Sequence, residues 1–366
     1  MQGYDDLLTR RQISTYYSAE TLACNLRRSI IDQSKVSSRI RGKFSDRWKL
    51  DLSEAFGGVL MDVSLLSRQI SLQTIGPRRI SLAKALEARS CLRVIEAHSP
   101  MSALLAENHS VSTNGVSISF DALWSSSLTD STLKGRPDIE ILDVQSRISN
   151  IRDILEVTHL PVIVDGDTGR EPQHFALNVR TLEHSGVAAV IIEDKTGLKK
   201  NSLLGLDVAQ TQESIPRFCE KINAGKMAQK TDSFWIIARI ESLILEVGLE
   251  DALARASAYC EAGADGIMIH CRRSDPTEVF VFAEKFRSKY PDKCLVCVPS
   301  SFSQVRFSEL SKRGFNVVIY ANHLLRASYL AMRDVALEIL MHDRSLEAEA
   351  KCISIGDLLD LIPGTR

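Results

Sequence analysis

The stretch Pro161–Leu204, PVIVDGDTGREPQHFALNVRTLEHSGVAAVIIEDKTGLKKNSLL, decides the fold. Two apolar runs, Pro161–Val164 and Val187–Ile192, each end abruptly in acid. The first stops at Asp165 and Asp167, the second at Glu193 and Asp194. Short β-rich runs bounded by polar residues read as buried strands. A segment of about ten to fifteen helical residues separates them, so the unit is strand–helix–strand and its strands are parallel. Both acid clusters then stand at the C-terminal ends of neighbouring strands, where α/β folds bind ligands. Crowded carboxylates repel one another unless a cation lies between them. Two or three such oxygens completed by water suit Mg²⁺. The alternative is a set of solvated or helix-capping acids, but four acids in two equivalent places fit caps poorly.

The same alternation extends outward from this unit. Candidate strands are Arg93–Ala97, Ser117–Trp124, Pro161–Val164, Ala188–Ile192, Trp235–Arg239, Gly266–Ile269, Cys294–Val298 and Val317–Tyr320. Helical patterns follow at Pro100–Glu107, Ile139–Glu156, Glu171–Ser185, Thr211–Ala224, Leu249–Ala262, Thr277–Lys289, Ser303–Lys312 and Leu324–Met341. Eight such units predict a (β/α)₈ TIM barrel over residues 81–366. A doubly wound sheet seldom needs eight, and no GxGxxG follows the first strand. Asn108–Gly115, rich in Ser and Asn, reads as a loop. Residues 1–80 differ in texture, with basic patches such as SRIRGKFSDRWK. Apolar periodicity at Ala19–Ile31 and Leu60–Ile70 predicts a helical N-terminal extension of unknown role, ended by the Gly76-Pro77 turn.

Composition narrows the function. The chain has 366 residues, enough for one barrel of roughly 250 residues with an appendage. With 45 basic and 46 acidic residues the net charge is −1, which gives no bulk attraction for nucleic acid or membrane. No apolar run reaches the roughly 20 residues a membrane helix needs. The opening MQGYDDLLTRRQ lacks the apolar core of a secretory signal, so the default expectation is cytoplasmic. Eight cysteines follow no framework spacing and suit reduced thiols. Cys294 and Cys297 form a CxxC inside an apolar strand, where alternation sends them to opposite faces and excludes a shared metal.

In a barrel the strand ends converge on one mouth. In order they supply Glu96, His98 and Ser99; Ser125, Ser126 and Ser127; Asp165 and Asp167; Glu193, Asp194 and Lys195; Arg239 and Glu241; His270 and Arg272; then Asn322 and His323. Asp138 either caps the long helix after it or enters the mouth. Acids around a cation with Arg239 and His270 opposite suit a small, highly anionic substrate, phosphorylated or carboxylated. The segment KTGLKKN at 195–201 reads as a flap whose lysines close over an anion.

Six motifs now carry a resemblance. EAHSPMSA at 96–103, DGDTG at 165–169, EDKTGLKKNS at 193–202, ARIES at 238–242, EAGADGIMIH at 261–270 and ANHLLRAS at 321–328 resemble the isocitrate lyase/phosphoenolpyruvate mutase superfamily. The likeness spans roughly Ser81 to Ile362. EDK, five residues and then NS is similar to the mutase signature. The lyase branch carries a catalytic cysteine in a K-[KR]-C-G-H loop, where this chain has Asn201. The resemblance implies interconversion of phosphoenolpyruvate and phosphonopyruvate with Mg²⁺, the first step of phosphonate biosynthesis. Hydrolysis of phosphonopyruvate or related C–C cleavage is the alternative. It implies Asp165 as the direct metal ligand, with Asp167, Glu193 and Asp138 around its water shell. Arg239 would grip the substrate anion beside His270. Trp124, Ser126 and Ser127 would hold the pyruvyl group, and Lys199 and Asn201 the phosphoryl group. Relatives are commonly homo-oligomers, dimers or tetramers, that exchange the last barrel helix. One departure stands out: relatives usually read WGSGL where this chain reads WSSSL at 124–128.

Overall fold

The computed structural model describes residues 81–362, apart from residues 114–115 and 198. The proposed N-terminal extension lies outside the described residues. Eight parallel strands close a barrel in chain order: β1 Leu92–Glu96, β2 Ala122–Ser125, β3 Val162–Asp165, β4 Ala189–Glu193, β5 Trp235–Ile240, β6 Gly266–Ile269, β7 Cys294–Cys297 and β8 Val317–Tyr320. Each pairs in parallel with the next, and β8 pairs with β1, Leu92 opposite Val317. The helices are α1 Ser81–Ala88, α2 Pro100–Asn108, α3 Ser127–Leu133, α4 Val144–Val157, α5 Pro172–His184, α6 Ile215–Ala228, α7 Leu249–Glu261, α8 Thr277–Lys289, α9 Phe307–Lys312 and α10 His323–His342, with short turns at Leu346–Glu349 and Ile355–Asp360. The expected TIM barrel is the fold of the described chain.

The strands are buried on both faces, which is why they read as continuous apolar runs. Leu92, Val94, Ala122, Trp124, Ile163, Ala189, Ile191, Ile237, Met268, Val296 and Ile319 fill the barrel interior. Their neighbours of opposite parity, such as Val164, Val190, Ile192, Ile236 and Ile267, pack under the helices. Cys294 belongs to the inner cluster and Cys297 to the outer one, as the parity of the CxxC requires. Both thiols are free.

Four boundaries differ from the sequence expectation. The second strand does not begin at Ser117. Val116–Ile118 instead pairs antiparallel with Val111–Thr113, so the supposed loop at 108–115 holds half of a hairpin. The barrel strand starts after Asp121, whose carboxylate accepts the Arg93 backbone N–H at 2.8 Å and Arg89 at 2.7 Å. The helix expected from Ile139 begins at Val144, because Glu140 is left-handed at φ 60° and Asp143 supplies the N-cap, 2.8 Å from Ser146 N. Asp138 therefore does not cap it. The helix expected from Thr211 begins at Ile215, with Pro216 in its first turn. Thr211–Gln212 pair instead with Lys195–Thr196, which ties the base of the flap. Helix α9 begins only at Phe307.

Helices α5 and α6 seat Phe175, Val179, Leu182, Phe218 and Ile222 in the outer core, all buried. Gly225 on α6 makes their close approach possible. A Cβ there would lie 2.4 Å from Phe175 Cε1 and 2.8 Å from Ile236 Cδ1. Replacing it by alanine gains about 1 kcal/mol of helix propensity, against about 1–3 kcal/mol for overpacking a full core. Overpacking wins, so Gly225→Ala is expected to lower the thermal midpoint by roughly 2–4 °C. A calorimetric midpoint equal to or above wild type would show that the helices part freely.

Candidate active site

Parity decides who reaches the mouth. Continuing the inward set of each strand gives Asp165 after Ile163, Glu193 after Ile191, Arg239 after Ile237 and His270 after Met268. These four line a cavity together with Trp124, Ser126, Ser127, Asp138, Lys199, Asn201, Ser202 and Asn322. Every residue singled out for the metal, the substrate or catalysis borders this space except Asp167, which lies against it through Lys199.

Asp165 is pinned from the start of α3. The Ser127 hydroxyl and backbone N–H donate to its Oδ2 at 2.8 and 3.2 Å. Burial opposes its ionisation, but Lys199, Arg239 and Arg147 overcome that and bring its pKa down to about 2. Asp167 sits one turn on, in the left-handed region at φ 54°, a conformation Asp tolerates better than most residues. Its pKa moves the other way, because burial outweighs Lys199 and the charge of Asp165 adds to it. Gly166 lets this turn form against β4, since a Cβ there would meet Val190 Cγ2 at 2.7 Å. Glu193 is 1% exposed, and neither carboxylate oxygen accepts a hydrogen bond. Its charge faces Arg239 and Lys195 at 3.3 Å. Burial pushes its pKa up against those cations.

The flap is folded down. Lys199 Nζ donates to Ser127 Oγ at 2.6 Å, to Asp138 at 3.1 Å and to Asp167. Asn201 Nδ2 donates to Asp138 Oδ2 at 2.9 Å, while its Oδ1 caps Leu203 N. Lys195, at the flap base, points inward to Ser202 Oγ at 2.8 Å and the Lys200 carbonyl at 2.7 Å. The cavity left beneath is about 60 Å³, room for about two waters.

On the opposite wall Glu241 is the hub. It accepts Arg239 Nε at 2.6 Å and the Ser202 hydroxyl, and its backbone N–H donates to Asp194 at 2.9 Å. Arg239 Nη2 donates to His270 Nδ1 at 2.8 Å. A guanidinium only donates, so the neutral ring carries its proton on Nε2. With its lone pair given to Arg239, the same Nδ1 has no proton for the Glu241 oxygen 3.4 Å away, so Glu241 reaches His270 only through the shared Arg239. Burial and the Arg239 charge both push the His270 pKa down, which keeps the ring neutral.

Several strand-end residues do not join this mouth. Asp194 has outward parity and accepts Tyr259 Oη at 2.7 Å and Arg255 at 3.2 Å beneath α7. Four acids therefore do not converge as DGDTG and EDK suggested; Asp138 replaces Asp194. Glu96 is inward but caps the last barrel helix, accepting Leu324 N at 3.1 Å and Leu325 N at 3.2 Å, with His98 against its other oxygen. Ser99 caps α2. His323 is exposed and Arg272 pairs with Glu246 outside. In the other direction, Arg147 and Asp130 lie behind β2 and β3 unannounced by any motif. Their only sequence signal is an arginine on the apolar face of α4, at the spacing of Ile151 and Ile154.

The sequence profile of the phosphoenolpyruvate phosphomutase family matches residues 82–340. A phosphoenolpyruvate phosphomutase from Tetrahymena pyriformis is 31% identical over 281 residues, 76% of this chain and 89% of that protein. The crystal structure of a phosphoenolpyruvate phosphomutase from Streptomyces platensis subsp. rosaceus superposes with a TM-score of 0.70 at 34% identity, covering 77% of this chain and 94% of that one. A phosphonopyruvate hydrolase solved with oxalate and Mg²⁺ superposes with a TM-score of 0.68 at 31% identity, covering 78% and 94%. Mutase and hydrolase relatives thus stand at similar distance. The barrel, its mouth and these likenesses together place the chain, as an enzyme, in the phosphoenolpyruvate phosphomutase family of the isocitrate lyase/phosphoenolpyruvate mutase superfamily.

Proposed function

We propose that the protein is a Mg²⁺-dependent phosphoenolpyruvate mutase, interconverting phosphoenolpyruvate and phosphonopyruvate at the first step of phosphonate biosynthesis. The observation that carries this reading is the state of Asp138. Both of its oxygens are engaged by the flap, one by Lys199 and one by Asn201. A carboxylate so occupied is a poor base for water, and the flap leaves little water to activate. Transfer within the closed site is favoured over hydrolysis. The flap KTGLKKNS also carries no thiol, which disfavours the lyase chemistry.

The donor set fits a hard divalent ion. Glu193 holds two buried oxygens with no hydrogen bond, and Asp165 is ionised at any working pH. Among the described residues no three His, Cys, Asp or Glu side chains form a ready ligand group. Asp165 would hold such an ion directly, and Asp167, Glu193 and Asp138 would order the water around it. Bound there, Mg²⁺ supplies charge neutralisation for the pyruvyl oxygens. In the reaction the phosphoryl group leaves the enol oxygen and joins the enolate carbon through a loose, metaphosphate-like state, so the protein mainly positions and neutralises. Arg239, fixed by Glu241, grips the anion, and His270 donates from Nε2. Trp124, Ser126 and Ser127 hold the pyruvyl end, while Lys199 and Asn201 follow the phosphoryl group.

We also infer a homo-oligomer, dimer or tetramer. Helix α10 buries only Leu325 and exposes Tyr329, Met332, Leu340 and Met341. Such a face calls for a partner helix.

Phosphonopyruvate with Mg²⁺ and the enzyme is expected to give a phosphoenolpyruvate signal in ³¹P NMR, abolished by a strong chelator and restored by Mg²⁺. Orthophosphate as the sole product would make the enzyme a hydrolase, and turnover in chelator would remove the metal. In the same assay Asn201→Ala, which frees one oxygen of Asp138, is expected to release more phosphate per mutase turnover; an unchanged partition sinks the role given to Asn201. Light scattering is expected to return at least twice the 40.6 kDa chain mass, and a monomer contradicts the oligomer.

A further inference from the structure

Arg147 is 1% exposed and lines no part of the mouth cavity. It sits on α4, behind the acid pair, and its planar fork is fully used. Nε donates to Asp130 Oδ2 at 2.6 Å. Nη1 donates to the Asp165 carbonyl and lies 3.7 Å from Asp167 Oδ2. Nη2 donates to the Ser125 carbonyl at 3.0 Å and to its hydroxyl at 3.2 Å. One side chain therefore grips the ends of β2 and β3 and approaches the left-handed turn that carries Asp167.

We propose that Arg147 is a positioning residue: it fixes the separation and aim of Asp165 and Asp167, and thereby the affinity of that pair for a divalent cation. The inference rests on the reading that the pair meets such an ion. Asp167 holds a left-handed backbone conformation, φ 54°, which its surroundings must support. Its carbonyl is held from one side by Glu193 N at 2.8 Å. Arg147 acts from the other side, on the carboxylate and on the preceding strand end.

Two effects of this guanidinium oppose one another. As a positive charge it weakens cation binding at the neighbouring carboxylates. As a fork it holds them in place. Asp130, at 2.6 Å, offsets most of the charge, so the fork dominates. A lysine keeps the charge but offers a compact point charge in place of five fixed donors. The two effects predict opposite signs for Arg147→Gln, which makes them separable.

The test uses Mn²⁺ alone as probe, titrated into the full chain without substrate and followed by the EPR signal of free ion. Arg147→Lys and Arg147→Gln are both expected to bind Mn²⁺ about tenfold more weakly than wild type, the usual loss when a supporting partner of a metal ligand is removed. Circular dichroism of the Arg147→Lys protein stays native. Ser125→Ala removes one contact of the fork together with the hydroxyl's bond to Asp130, leaves the buried ion pair intact and weakens binding by about threefold; it carries the test if the arginine variants do not fold. Wild-type binding with Arg147→Lys and Ser125→Ala unchanged overturns this inference alone. Tighter binding by Arg147→Gln does the same, since charge rather than position would then govern. No Mn²⁺ binding by wild type removes the site reading and this inference together.

Discussion

The structure turns on keeping acids together at the dry end of a barrel. Asp138, Asp165, Asp167 and Glu193 crowd one mouth, each shielded from water. Two carboxylates about 4 Å apart repel by about 4 kcal/mol even at an effective dielectric of 20. Four cations answer them: Lys199 from above, Lys195 at the flap base, Arg239 from the far wall and Arg147 from behind. The result is uneven. Asp165 is driven down to about 2, while Asp167 and Glu193 are pushed up by burial. A site of this kind gains from any further positive charge at the mouth.

The barrel was legible in the sequence because strands buried on both faces announce themselves as apolar runs, and their spacing counts the units. The mouth was partly legible for the same reason. A residue at the end of an inward run stays inward, so Asp165, Glu193, Arg239 and His270 follow from parity. Asp194 follows the same rule in the opposite sense: it is one residue beyond Glu193 and therefore outside. Reading EDK as a block of acids overlooked that alternation. The accessory hairpin hid because its two strands are three residues each, below the length at which a pattern registers. Glu241 was visible as a strand-end acid, but its role as hub depends on contacts with Arg239 and Ser202 that only the folded chain brings together. Arg147 was invisible because an arginine at a core-facing helical position carries no motif.

The flap joins two walls that would otherwise act separately. Lys199 and Asn201 bind the acids on the β3 side, whereas Ser202, the next residue, binds Glu241 and Arg239 on the β5 side. Lifting the flap breaks both sets at once. Its base is firmer, held by the pairing of Lys195–Thr196 with Thr211–Gln212 and by the buried Lys195 ammonium. Gly197 and Gly205, at φ 76° and 51°, are places where the chain bends with positive φ.

The serines of WSSSL bear on how the turn after β2 differs from its relatives. Ser125 points away from the mouth, and its hydroxyl lies 3.2 Å from both Asp130 and Arg147. It completes a buried polar group that already contained an ion pair, so the added oxygen is satisfied. Ser127 points inward. Its backbone N–H still reaches Asp165, the contact a glycine there would also allow, and its hydroxyl adds a second bond to the same oxygen and accepts Lys199. The side chain does not block the backbone. It places one more hydroxyl between an acid and the flap. The turn thus keeps the geometry that serves Asp165 and gains a link to Lys199, which ties flap closure to the aim of the carboxylate beneath it.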